Sequence, residues 1–437
     1  MKKLIMMSLT ASLSAAVFSA PEISGVTLHR EKPGTVSVSY VLSGDPAVVT
    51  LDIQTNFVEN AETKWASVGG AHLRHLDGDV NKKIDPQVLP RTVTWNVKAD
   101  WSGALPQTGV RAVLMAWPTN ALPPYMVIDL RPATKEERVA AIRFYPNGNC
   151  LPYGPVTNRI YKSDLIVMRK IPAAQVKWTM GDTVGDGSSW GYGDGQPECR
   201  HRVKLTRDFY LGVFEITQDQ ITKGSGWGNP TPESFRQGED APYRPANCLI
   251  YHDMRPCDEF PNANYPDDGG QGRIEGGCYL KAMADRLGVR FDLPTQAQWE
   301  YACRGGSSAK LYSGKNPPHT SELDPDLDEL AWYGLNSDNK IHEVGLKVPN
   351  AFGLYDMLGN VAEWCVEYAH NATSENGLVV DPITGPSENT GSRSLRGGTY
   401  LHGGMDYNLP YWNGSGVKSG SYEHYFGLRL WAPAEIP

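Results

Sequence analysis

Seventeen residues, Pro349 to Cys365 (PNAFGLYDMLGNVAEWC), hold the densest set of groups able to do chemistry. Two carboxylates, Asp356 and Glu363, flank the turn at Gly359-Asn360. Neither the helical nor the strand period runs through the stretch, so it reads as an ordered loop. Peptide groups in such a loop need side chains, water or an ion as partners. Asp356 and Glu363, with the carbonyls of Gly359 and Val361, offer the all-oxygen shell that calcium prefers. The competing reading is a pair of surface acids that cap turns. A second stretch, Thr399 to Tyr425, carries Tyr400, Tyr407, Tyr411, Trp412, Tyr422 and Tyr425 among small polar residues and histidines. Rigid aromatic rings beside adaptable polar groups suit recognition, and their faces suit stacking on sugars. A groove lined by Thr399, His402, Tyr407, Trp412 and Tyr425 is therefore expected, against the alternative that the rings are core pins. His72 and His75 lie three apart beside Asp77 and Asp79, but no third ligand is placed by spacing, and a polar hairpin tip is the preferred reading.

These groups must be positioned by a chain of 437 residues, long enough for two cores. Its 45 Gly, 32 Pro, 12 Trp and 21 Tyr suit a loop-rich fold pinned by aromatic residues. A formal charge of −8 without a basic run argues against nucleic acid or an anionic membrane as partner. Lys2 and Lys3 precede an apolar run, Leu4 to Val17, and small residues through Ala20; residues 1–20 read as a secretory signal peptide, so export is expected. No other apolar run is long enough to span a membrane. The seven cysteines lack zinc spacing, and Cys248 with Cys257 is the expected local bridge.

Short alternating runs, among them Val36 to Leu42, Val48 to Gln54 and Val110 to Ala116, fill residues 21–130 and predict an immunoglobulin-like β-sandwich. The last of its predicted strands is Tyr125 to Leu130, and 131–164 reads as linker with a short helix at Thr134 to Ile142. Beyond it, 165–437 reads as a second domain. Thr217 with Gln220 and Thr295 with Gln298 have capping-box spacing and should each open a helix, and Trp299 should be core.

Four motifs in this second domain, LPTQAQWEYACRGG (Leu293 to Gly306), the Pro349 to Cys365 loop, LRGGTY (Leu395 to Tyr400) and FGLRL (Phe426 to Leu430), together resemble the formylglycine-generating enzyme, or sulfatase-modifying-factor, domain family. The similarity extends to RDFYLGVFEITQDQI (Arg207 to Ile221) and covers the C-terminal three-fifths of the chain. It implies a C-type-lectin-like fold of mixed α+β content with long ordered loops, and a calcium site at the positions of Asp356, Gly359, Val361 and Glu363. The resemblance also implies a copper-recruiting cysteine pair after the RGG motif. Those positions are His402 and Tyr407 here, and no thiolate remains to hold soft Cu(I). The family's Trp within GNVWEW is Ala362, and its Asn before the closing motif is Tyr425. Copper is accordingly not expected. The leading expectation is a non-oxidase that binds a glycan or protein ligand in its groove. The rival is a metal-dependent oxidoreductase of altered site, with His370, His402 and His424 as the histidines available to a non-haem iron.

Overall fold

A computed structural model describes residues 19–31, 34–101, 105–106, 108–181, 201–255, 277–309, 311–315, 323–368, 377–383, 392–401, 417–418 and 423–435. The first eight strands are β1 (Glu22–Arg30), β2 (Thr35–Ser43), β3 (Ala47–Glu59), β4 (Glu62–Ser67), β5 (Leu76–Asp77), β6 (Lys82–Ile84), β7 (Arg91–Asn96) and β8 (Val110–Pro118). They form two antiparallel sheets. One has the order β1-β2-β7-β5; in the other, β3 pairs with β4, β6 and β8. Alternation decides which residues enter the space between them. Val36, Val38, Tyr40 and Leu42 of β2 pack with Ala47, Val49, Leu51 and Ile53 of β3 in a single cluster.

Strand β3 is buried on its other face as well, and that face makes the junction with the second domain. Val48 belongs to the second domain's main core cluster, where Trp117 also packs. The Trp117 indole N–H donates to the Thr50 hydroxyl over 2.9 Å, and the Phe144 amide donates to the Asn81 carbonyl. Gly70 lies so close to the 148–151 segment that a Cβ would sit 2.0 Å from the Cys150 carbonyl oxygen. Only glycine allows that approach.

The second domain contains β9 (Tyr125–Asp129), β10 (Arg143–Tyr145), β11 (Leu165–Ile171), β12 (Lys177–Met180), β13 (His201–Lys204) and β14 (Phe209–Gly212). Later in the chain come β15 (Ala362–Tyr368), β16 (Leu378–Val380), β17 (Ser392–Arg396), β18 (Val417–Lys418), β19 (Phe426–Gly427) and β20 (Trp431–Pro433). Its sheets run β10-β9-β11-β14-β20, β12-β13-β16 and β18-β17-β15-β19. Among the described residues the helices are short: α1 (Val97–Asp100), α2 (Lys135–Ala140), α3 (Gln218–Ser225), α4 (Tyr251–Met254), α5 (Tyr279–Leu287), α6 (Gln296–Arg304) and α7 (Pro325–Asp328). Both predicted capping boxes close, at Thr217 and Thr295, and a third closes at Thr134. Among the described residues no helix is long and apolar enough to cross a membrane.

Two sequence expectations are corrected by the topology. Tyr125–Asp129, expected as the sandwich's last strand, pairs with β10 and β11 in the second domain's sheet. Residues 143–145, expected in the linker, supply the next strand of that sheet. A run of alternating residues specifies a strand but not which sheet it joins, because partner choice depends on residues far away in sequence.

Candidate functional site

The loop from Pro349 is fixed at its start by Asn350. Its side-chain amide donates to the last carbonyls of α6, Ala302 and Cys303, while its Oδ1 accepts from the Phe352 and Leu354 amides. The side chain thus closes a helix end and a turn at once. The chain then enters left-handed backbone at Gly353, Asp356, Gly359 and Asn360. Gly359 has no substitute, since a Cβ there would lie 2.1 Å from the Trp332 carbonyl oxygen. Its amide donates to Gly397, which ties this loop to the RGG segment. Asn360 donates to Glu215 (2.8 Å), accepts from the His342 amide, and receives the Tyr400 amide on its carbonyl.

Beneath the loop lies a buried ionic cluster. Arg429, from the closing motif, spends all its donors inside the protein. It donates to the carbonyls of Gly212, Val213, Tyr355 and Asp356 and to both oxygens of Glu363, the shortest at 2.7 Å. The Trp299 indole N–H donates to Glu363 over 2.6 Å. Glu215 accepts from the Val361 amide and from Asn360. Asp356 accepts from the Gly345 amide at 2.6 Å through Oδ2, whereas its Oδ1 is buried with no hydrogen-bond partner.

Three carboxylates around one guanidinium in a dry interior cannot all ionise freely. Burial, reinforced by Asp356 and Glu363, pushes the Glu215 carboxyl well above the usual range. Burial likewise lifts Asp356 to about 6, against the pull of the Gly345 amide and Arg429. Burial also disfavours the charge of Arg429, but Glu363 outweighs it and keeps the guanidinium ionised.

Near the surface, Tyr400 and Val361 form a floor with Ile341, and half-buried Phe235, Leu401 and Tyr425 pack on it. Phe235 stacks on His424 with centroids 6.0 Å apart, and the Asn247 amide holds the His424 carbonyl at 2.7 Å. Ser337 donates to the Tyr400 carbonyl; the His342 ring contacts the Ser337 carbonyl and stacks on Trp332 at 3.8 Å. The Ala362 amide donates to the Tyr425 carbonyl at 2.8 Å.

The structure thus brings Asp356, Gly359, Val361 and Glu363 into one buried neighbourhood. Both Glu363 oxygens already accept from Arg429, and one from Trp299 as well, so its first role is ion pairing. Thr399 is not a lining residue: it is fully buried, and its hydroxyl accepts from the Leu401 amide. Tyr425 is half-buried at the surface. His402, Tyr407, Trp412 and His370 lie outside the described residues, as does Cys257. No disulfide joins any two of the five described cysteines. His75 is oriented by Asp100 (Nδ1 to Oδ1, 2.6 Å) and not by Asp77 or Asp79, and His72 stacks on Trp101.

Glu215, Arg429 and Asn360 escaped the sequence reading. One acid inside the apolar run Val213-Phe214-Glu215-Ile216 was the available signal, because an acid there needs a buried partner.

The chain matches the sulfatase-modifying factor enzyme 1-like domain family over residues 170–432. It belongs to that family. It is 32% identical over 197 residues to "Chaperone protein LppX" of Paenibacillus barcinonensis, covering 39% of this chain and 66% of LppX. The formylglycine-generating enzyme of Mus musculus is 31% identical over 121 residues, covering 25% of this chain and 30% of the enzyme. The matches therefore span less than two thirds of either relative. Among solved structures, Treponema denticola variable protein 1 is similar with a TM-score of 0.46 and 24% identity, covering 62% of this chain and 95% of that protein.

Proposed function

We propose that this family member is an exported binding protein without cysteine-to-formylglycine oxidase activity. Its ligand is a protein segment received on the face formed by Phe235, Leu401, His424 and Tyr425. One observation carries the reading: two of the positions at which this chain departs from the oxidase pattern, Ala362 and Tyr425, are backbone hydrogen-bond partners, and Tyr425 is part of that face. His402 and Tyr407 stand where the oxidase pattern has cysteines. Burial pushes the Cys150 and Cys278 thiols up to about 12 and 11, and raises Cys303, so none of these three supplies a replacement thiolate. A relative that is a chaperone by name supports binding to protein in preference to glycan. The N-terminal basic and apolar run supports export.

Calcium belongs to the same proposal. The buried Asp356 Oδ1, a side-chain oxygen of the cluster with no hydrogen-bond partner, would meet the cation. The carbonyls of Gly359 and Val361 would join it, with Glu363 shared between ion and Arg429. The ion would order the loop and supply no redox chemistry. Chelation should lower the melting temperature, and Asp356→Ala should abolish that response.

The decisive experiment incubates the full chain with a sulfatase-motif peptide, copper, oxygen and reductant, read by mass spectrometry. No aldehyde is expected, and clear conversion refutes the reading. In parallel, Phe235→Ala with His424→Ala should abolish capture on a peptide array while melting stays near wild type. Capture on a glycan array alone would reassign the ligand class. A redox metal bound stoichiometrically would favour the oxidoreductase reading instead.

A further inference from the structure

Two arginines, Arg138 and Arg286, sit in the last turns of α2 and α5, which pack against each other. A Cβ on Gly288, the cap of α5, would lie 2.3 Å from Val139, so the two helix ends meet beside Arg138. Arg286 lies against the end of α3, where a Cβ on Gly226 would be 2.7 Å from its Cζ. Arg138 is 6% exposed and Arg286 is half-buried, so solvent reaches the pair from the side of Arg286.

Hydrogen bonds and a counter-charge ordinarily offset the cost of burying a guanidinium. Arg255, Arg304 and Arg429 follow that rule and hold Asp292, Glu300 and Glu363. Arg138 and Arg286 do not. The Nε–H of each is buried with no hydrogen-bond partner, and among the described residues no carboxylate forms an ion pair with either. The acids next to them in sequence are committed elsewhere. Glu137 accepts from the Ala133 and Thr134 amides, and Asp285 pairs with Lys281. The two cations instead act on each other: burial, and then the charge of Arg286, hold the Arg138 guanidinium below its ordinary pKa, and Glu137 offsets them only in part. The negative ends of the helices favour a cation at such positions, which is the alternative account, but that leaves the two buried N–H groups unanswered. A carboxylate has two oxygens and one charge, which suit one guanidinium. A phosphate monoester has three free oxygens and nearly two charges at neutral pH, which suit two.

We propose that Arg138 and Arg286 together bind a phosphate group, carried by a small phosphorylated solute or free in solution. The site is independent of the proposed protein-binding face, and its outcome leaves that reading untouched. The test titrates glycerol phosphate, inorganic phosphate and acetate into the full chain at fixed ionic strength, by calorimetry and by thermal melting. Both phosphates should bind saturably and raise the melting temperature, and acetate should do neither. Tighter binding of the ester names a phosphorylated solute as the source, and tighter binding of the inorganic ion names free phosphate. Arg286→Gln, on the solvent side of the pair, should weaken phosphate binding about tenfold or more, and Arg138→Gln at least as much. No saturable binding of either phosphate up to about 10 mM overturns the proposal, and so does equal affinity for acetate. Undiminished phosphate binding by Arg286→Gln overturns it too, and leaves the arginines a role at the helix ends alone.

Discussion

The two domains reach a folded state by different means. In the sandwich, β2 and β3 face each other with an apolar set and little else. In the second domain, Trp299, Trp364 and Trp431 share the interior with the fully buried Arg396 and Arg429 and with Glu215, Glu300 and Glu363. A regular sheet satisfies its own peptide groups, so its core needs only apolar side chains. A loop-rich fold leaves carbonyls outside the ladders, and Arg429 donates to four carbonyls while Glu363 neutralises it. Long polar side chains therefore join the β-ladders as framework where the chain leaves the sheets.

The strongest challenge to this contrast is Arg429→Met. It leaves Glu363 buried without its cation and takes a donor away from four carbonyls, and should destabilise the second domain by about 3–5 kcal/mol in denaturant melts. Adding Glu363→Leu should recover part of that loss, because the orphaned charge is then removed. If the single variant melts like wild type, the ion pair is not the framework.

A smaller effect is expected from pH. Burial lifts the Glu367 carboxyl from its ordinary value near 4.5 to about 8, although the Gln296 amide and nearby arginines oppose it. The folded state then holds a proton that the unfolded chain has released. The stabilisation is complete below pH 4.5 and is lost as pH rises through 8, with a slope of up to about 1.4 kcal/mol per pH unit in that window. Glu367→Gln should flatten the melting temperature across it. An unchanged slope would assign the dependence elsewhere.

In the sandwich, Ile53→Val should cost about 1 kcal/mol, the ordinary price of a lost methyl group in an apolar core. Smallest of all, Lys64→Ala removes the cation from its ion pair with Glu59, whose side chains are 44% and 55% exposed, and should change stability by less than about 0.5 kcal/mol. A large loss there would show that charge pairing matters in both domains and would erase the comparison.

The sequence by itself determined the local structure. The capping boxes at Thr217 and Thr295, the alternation in β2, β3 and β8 and the burial of Trp299 all follow from near neighbours in the chain. Four short motifs also determined the family. Tertiary structure alone decided which sheet β9 joins, since strand pairing is a contact between distant segments. It alone placed Glu215 under Val361, 146 residues away, and Arg429 against Glu363, 66 residues away. It also buried Thr399, and gave Glu363 a guanidinium as partner. The physical reason is the same each time: a charge in a low-dielectric interior takes its meaning from what surrounds it, and those surroundings are assembled from remote parts of the chain.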